Sequence, residues 1–343
     1  MSKHIAVVGG GIAGMETASR LAQAGHRVTI IEKEQACGGK LRNWHQLFPD
    51  FASAQYVLKH VAHAAKHDNI KMISDTEITS IEKSGNAFVL RACEEMSIKA
   101  DAVVVATGFD IFDATRKEEY GYGIFDNVIT SAELELMLRT EKNICTANGS
   151  IPKRIAIIHC VGSRDAKVGN TYCSKVCCIT GIKQAIELNK HLPDCEIFNF
   201  YMDLRLYGSN FDDLYLQAQR QHKIQFIRGR LSEASEKQDK SLQIKAEDTL
   251  SGRPLRMDVD MIVLLVGIEA GRTNAMLCAN DLMQTDSHGF IQSADAHFAR
   301  NKSKQKGVFV AGTALCPMSV SDVLENARSA ASEVLAYFQS EIK

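Results

Sequence analysis

Apolar residues in this chain gather into short runs that alternate with stretches of helical period. "IAVVGG" (Ile5 to Gly10), "RVTIIEK", "ADAVVVATG", "RIAIIH", "EIFNFYM" and "VDMIVLLVG" (Val259 to Gly267) read as strands. Between them, "AGMETASRLAQAG", ended by Gly25, "AQYVLKHVAHAAKH" and "ITGIKQAIELNKHL" read as helices, and "EITSIEKSGNAFVLRA" as hairpin-like strands. This rhythm predicts an α/β protein with parallel sheets. "VDMIVLLVG" echoes "ADAVVVATG" as a closing strand, and "GVFVAGTALCPMSVSDVLENARSAASEVLAYF" reads as strand, loop and helix. The expected layout is a first domain over 1–115 and 286–343, a linker over 116–151, and a second domain over 152–285 inserted in the first.

At 343 residues the chain suits two modest domains or one large one. Its 45% hydrophobic and 24% charged residues are ordinary for a globular protein, and a net charge of −1 gives no reason to expect nucleic acid or an anionic membrane surface. No apolar run approaches the ~20 residues that span a bilayer. The chain opens in a strand entering a glycine turn, so no signal peptide and a cytoplasmic, reducing location are expected. That expectation changes the reading of the ten cysteines, which become candidates for metal or redox chemistry before disulfides.

Gly9-x-Gly11-x-x-Gly14 stands between a predicted strand and helix, with Glu32 ending the next strand, the dinucleotide fingerprint. Gly9 permits the tight turn, Gly11 lets backbone approach a pyrophosphate, and Gly14 allows close helix–strand packing. The helix N-terminus offers free N–H groups to phosphate, and Glu32 can accept from ribose hydroxyls. Three segments favour FAD over NAD: "ACGGKL" with Gly38 and Gly39, "ATG" (Ala106, Thr107, Gly108), and "GVFVAGT", which contains Gly312 and Thr313. Together they resemble two-dinucleotide-domain flavoproteins, and the resemblance implies a thioredoxin-reductase-like fold of two Rossmann-type domains. It also implies cofactor contacts at Ile12, Ala13, Lys33, Lys40, Leu41, Ile78, Val320 and Val323. Thr313 stands where such enzymes commonly carry Asp. The second domain has no GxGxxG, because its strand runs into Cys160-Val161-Gly162-Ser163, so NAD(P)H is not expected as the direct electron donor.

"HCVGSRDAKVGNTYCSKVCC" (159–178) holds Cys160, Cys173, Cys177 and Cys178. Cys173 and Cys177 would share a helical face, and Cys160 would approach from the strand end. Four thiolates so arranged can hold a [4Fe–4S] cluster. Structural zinc usually shows paired C-x2-4-C units, absent here. Unligated buried cysteines remain the plain alternative.

"CVGSRD…YCSKVCC", with "FYMDLRLYGSNFDDLYLQAQ" and "GVFVAGTALCP", resembles the A subunit of heterodisulfide reductases and their relatives. That resemblance implies that Cys160, Cys173, Cys177 and Cys178 ligate a [4Fe–4S] cluster near FAD, and that Lys183 lies near the flavin ring, where its ammonium would favour a reduced, anionic flavin. It implies partners of the iron–sulfur B- and C-subunit type and a homodimer. The chain has no C-x2-C-x2-C-x3-C-P run, and the compact form looks most like the A subunit of the sulfur-oxidising heterodisulfide-reductase-like complex. The implied function is electron transfer through FAD and the cluster in cytoplasmic oxidation of sulfane sulfur. The alternatives are the A subunit of a quinone-interacting complex of sulfate reduction and a stand-alone NAD(P)H-linked flavin disulfide reductase.

Other signals are weaker. His60, His63 and His67 share a helical face and are expected to be exposed. Cys37 is expected to pack as a small residue, and Trp44 either lines the flavin pocket or joins the core. Cys93, Cys145, Cys195, Cys278 and Cys316 are scattered and receive no role.

Overall fold

The structure, a computed structural model, describes residues 2–92, 96–279 and 282–340. The chain forms two compact units. The first comprises the chain up to Arg42, Ala54–Asp110 and the chain from Glu269 onward; the second comprises Asn43–Ser53 and Ile111–Ile268.

In the first unit five parallel strands lie in the order Val308–Val310, Ala102–Val105, His4–Val8, Arg27–Ile31, Ile70–Ile73. The three central strands are the apolar runs of the sequence. Ile5, Ala6 and Val7 are fully buried, as expected where both sheet faces are covered. The helix Ile12–Gln23 packs against the C-terminal helix Val320–Ser340, joined by a Thr17 hydroxyl that donates to the Ala327 carbonyl at 3.2 Å. Ile78–Ser84, Ala87–Ala92 and Ser97–Ala100 form a separate antiparallel sheet.

The second unit repeats the plan. Its five parallel strands run Gln225–Arg228, Glu196–Tyr201, Arg154–Val161, Met261–Val266, Val128–Thr130. An antiparallel sheet of Leu231–Glu236, Leu242–Asp248 and Arg253–Val259 accompanies it. Ile155 and Ile157 join the core on one face of the central strand, and Ala156 and Ile158 the core on the other.

Where the sequence suggests a linker over 116–151, the structure has the edge strand Val128–Thr130 and the helix Ser131–Arg139. A reciprocal capping box of Thr130 and Glu133 starts that helix. The segment Asn43–Ser53, read as part of the first domain, belongs to the second unit, and residues 269–285 belong to the first. A three-residue strand is too short to show a period, and docking of an eleven-residue arm depends on partners far away in sequence.

Candidate functional site

The first site is the glycine turn of the first unit. Gly9 has φ +109°, and a Cβ there would lie 2.3 Å from the Ala106 carbonyl oxygen. At Gly14 a Cβ would lie 1.9 Å from the Gly9 carbonyl oxygen, so helix and turn close on each other only with glycine. At Gly11 nothing lies within 4 Å of the Cβ position. Gly11 also caps the helix Ile12–Gln23 without a side-chain hydrogen bond, so no side chain of the cap competes for the first N–H groups. An open cradle at an uncapped helix start fits a pyrophosphate.

The other dinucleotide candidates of this unit surround the turn unevenly. Gly38 donates its N–H to the Gly10 carbonyl at 2.8 Å, and a Cβ on Gly39 would come within 3.2 Å of the Gly11 Cα. At Gly312 a Cβ would lie 2.7 Å from that of Ala13, beside Val323, while Thr313 Oγ1 stands 3.9 Å from the Cβ position of Gly108. Ile12 and Ala13 open the helix of the turn, and Leu41 is buried. Lys40 stands 3.9 Å from Asp110; burial pushes its ammonium down and Asp110 draws it back up. Val320 begins the C-terminal helix. Ile78 is buried in the core at the start of the antiparallel sheet, and Lys33 is exposed two residues beyond the strand Arg27–Ile31.

Glu32 is buried, and its two carboxylate oxygens accept the N–H groups of Gly10 (2.7 Å) and Glu34 (2.9 Å). Each oxygen keeps a second lone pair, so capacity for ribose hydroxyls remains. The Cys37 thiol packs where a Gly10 Cβ would otherwise stand, against Glu32. Burial first and then that carboxylate push its pKa up, consistent with small-residue packing. Sequence reasoning missed Asn274, wholly buried, whose Oδ1 accepts the Thr107 hydroxyl at 2.7 Å. It also missed Asn326, whose Oδ1 accepts the Gly312 N–H at 2.8 Å. Both lie in helical text with no motif around them.

The second site is the cysteine segment of the second unit. A register shift between Ile158 and Val161 breaks the pairing with Met261–Val266, and Cys160 takes φ +60° at that bulge. Residues 162–176 then form a loop held by its own hydrogen bonds: Arg164 N–H to Tyr172 O (2.8 Å), Asn170 Nδ2 to Gly162 O (3.0 Å) and Ser174 N–H to Ser163 Oγ (3.0 Å). Buried Asp165 anchors it, accepting from buried Lys117 at 2.8 Å and from Arg230 at 2.5 Å. Cys177 and Cys178 open the helix Cys177–His191, which has no side-chain cap.

The four thiols lie near enough to one another to interact electrostatically in every pairing. Cys160, Cys177 and Cys178 are buried and Cys173 is half-buried. Burial, followed by the neighbouring thiols, pushes Cys160 up to about 12 and Cys177 well above its ordinary value; burial also raises Cys178. Each sulfur has a polar neighbour. Arg164 lies against Cys160, the Ser174 hydroxyl against Cys177, the Arg205 guanidinium against Cys173 and the Arg205 N–H against Cys178.

Among the described residues no group of three or more His, Cys, Asp or Glu side chains is arranged to hold a metal ion. A zinc tetrahedron with Zn–S of about 2.3 Å would bring its sulfurs to about 3.8 Å of one another. A four-iron cube carries its thiolates at its outer corners, farther apart. Convergent, buried thiols that cost energy to ionise alone suit a polynuclear cation, which stabilises thiolates on binding.

Lys183 is 2% exposed; its ammonium donates to the Gln46 carbonyl (2.9 Å) and to Glu135 and forms an ion pair with Glu187 (3.0 Å), all in the second unit. His45 Nδ1 reaches Glu187 at 2.9 Å. The Lys183 ammonium is buried and paired, not solvated. Trp44 lies in the arm of the second unit. His60 and His63 are exposed, and His67 lies beyond the helix Ala54–Ala64, accepting the Asn69 N–H at 3.1 Å. Cys145 is half-buried, while burial pushes Cys195 up to about 12 and Cys278 up to about 11. Cys316 receives Arg300 at 3.0 Å, and Cys93 lies outside the described residues.

The family profile of pyridine nucleotide-disulphide oxidoreductases matches residues 3–333. The A subunit of the H(2)/formate:CoB-CoM heterodisulfide,ferredoxin reductase of Methanococcus maripaludis is 31% identical, covering 97% of this chain and 64% of that protein. The iron-sulfur A subunit of the CoB--CoM heterodisulfide reductase of Methanocaldococcus jannaschii is 30% identical with the same coverage. The chain thus spans just under two thirds of the length of these relatives. Thioredoxin reductases share the fold: the T. acidophilum structure at TM-score 0.67 and 18% identity, covering 99% of each chain, and the Lactococcus lactis structure at 0.69 and 16%, covering 98% of this chain and 99% of that one. The fold is therefore thioredoxin-reductase-like α/β, as the sequence predicts. No helix among the described residues is long and apolar enough to cross a membrane.

Proposed function

This chain belongs to the pyridine nucleotide-disulphide oxidoreductase family, and on that premise we propose that it is the FAD- and [4Fe–4S]-dependent electron-transfer component of a heterodisulfide-reductase-like complex. It is an oxidoreductase, and family and glycine turn together support FAD as its cofactor. The observation that carries the finer reading is the convergence of Cys160, Cys173, Cys177 and Cys178.

When bound, FAD supplies two-electron chemistry and the cluster one-electron chemistry, so the pair links a two-electron substrate to a one-electron chain. The chain's own residues bind and orient. Gly9, Gly11 and Gly14 shape the turn under the pyrophosphate, Glu32 takes the ribose, and Gly312 and Thr313 belong to the flavin segment. The four cysteines hold the cluster. Lys183 is the residue proposed to act near the flavin, with Glu135 and Glu187 fixing its ammonium.

The partners are proposed to be iron–sulfur B- and C-type subunits and a second copy of this chain, and the setting cytoplasmic oxidation of sulfane sulfur. Service in a quinone-interacting complex is the alternative setting. Direct reduction by NAD(P)H is disfavoured by one feature of the second unit. The first glycine after its central strand, Gly162, is covered by the Phe112 ring, which a Cβ there would approach to 2.0 Å. Anaerobically purified protein should show flavin absorption, about four irons with matching sulfide, and an EPR signal on reduction. Cys178→Ala should lose iron and keep flavin; unchanged iron in that variant rejects the ligand assignment. Rapid bleaching of the flavin by NADH or NADPH would restore the stand-alone flavoenzyme reading.

A further inference from the structure

The second unit places more positive charge around its thiols than holding them requires. Arg164 lies against Cys160 and directs Nη2 to Asp203 at 2.7 Å. Its Nη1 is buried without a hydrogen-bond partner, an uncommon state for a charged donor. Arg205 touches two of the four sulfurs, Cys173 through its guanidinium and Cys178 through its backbone N–H, and its side-chain partner elsewhere is the neutral Tyr207. Lys175 adds a backbone N–H to Cys173 Sγ at 3.3 Å. The Asp203 carboxylate is shared between Arg164 and Arg228, at 2.7 and 3.5 Å, and its carbonyl faces the Cys178 thiol at 3.5 Å. Three guanidinium groups against one carboxylate leave the site cationic.

We propose that Arg164, Arg205 and Asp203 set the reduction potential of the metal centre held by the four cysteines, with Arg164 Nη1 donating to an acceptor that arrives with the centre. The inference rests on the cluster reading above. Four thiolates around an iron–sulfur core form an anion that gains one further negative charge on reduction. Nearby cations and N–H donors favour that reduced state, and a nearby carboxylate opposes it. These are positioning residues, acting through the field and not as ligands.

Charge predicts opposite signs. In EPR-monitored redox titrations of the full-length, anaerobically reconstituted protein, Arg205→Gln and Arg164→Gln should lower the midpoint potential, Asp203→Asn should raise it, and Arg205→Lys should stay near wild type. Iron and sulfide assays on the same samples check occupancy. Unshifted potentials, or shifts of one sign in all variants, with full iron overturn the inference while leaving the cluster assignment intact. Should an Arg→Gln variant lose iron, Asp203→Asn decides: a raised potential supports the field role, and an unchanged or lowered one rejects it. Absence of iron from the wild-type protein overturns both readings.

Discussion

The two units use one scaffold for opposite ends. In each, a central parallel strand, His4–Val8 or Arg154–Val161, is followed by a helix, Ile12–Gln23 or Cys177–His191, whose N-terminus has no side-chain cap. In each, the site lies past the carboxyl end of that strand, where open α/β sheets bind ligands. The connection makes the difference. Three residues, 9–11, join strand to helix in the first unit, and fifteen, 162–176, in the second. A short glycine turn keeps helix dipole and backbone N–H groups open to an anion. The long loop carries Cys173, begins two residues after Cys160 and sets Arg164 beside that thiol. The lesson is that the switch point of the fold fixes where chemistry happens, and the length of one loop fixes which chemistry.

Substitutions can break or sharpen that contrast. The largest effect is expected for Gly14→Val, because its Cβ would meet backbone, which cannot rotate away. We expect a cost above about 5 kcal/mol, the range of diagnostic strain, with FAD lost; FAD-to-protein ratio and thermal melts read both. Retained FAD at the wild-type melting temperature would show that the turn relaxes. Next is Lys117→Met, which leaves the buried Asp165 with Arg230 as its remaining ionic partner and the Lys167 N–H and should cost about 3–5 kcal/mol, measured by denaturant titration alongside iron content. The same pair carries a pH signature. Burial raises the Asp165 pKa, but the hydrogen bond from Lys117 and the charge of Arg230 outweigh it, so the carboxyl sits below its ordinary 3.8. Its contribution is therefore present above that value and lost as pH falls through the depressed one, and Lys117→Met should flatten the acid limb of the stability profile. The smallest structural effect belongs to Gly11→Ala. Its φ is −71°, and open space surrounds its Cβ position. Stability should change by less than about 1 kcal/mol, whereas FAD affinity should fall at least tenfold by fluorescence titration. Equal affinity would mean that the cofactor does not approach this backbone.

Much of this was legible in the residues because the signals are local. Unbroken runs such as "ADAVVVATG" announced buried strands, and the glycine and cysteine spacings announced their turns. What escaped reading depends on contacts across long separations. The arm Asn43–Ser53 docks through the His45 N–H to Glu135 and the Gln46 carbonyl to Lys183, partners 90 and 137 residues away. Arg164 and Arg205 sit in irregular loops, where no period marks which side chain turns toward the thiols. Nor could the sequence reveal that Glu32 is already engaged by two backbone donors.

The strand order of the first unit also dictates a timetable for synthesis. Its edge strand, Val308–Val310, and the helix Val320–Ser340 leave the ribosome after the second unit, which has all its residues by Ile268. At ribosomal speeds the remaining stretch takes on the order of ten seconds, during which Ala102–Val105 waits with an unpaired border. The nascent protein thus completes the half that carries the four cysteines while the half that carries the glycine turn is still open, and the order in which the two halves become able to take up a ligand is written into the topology.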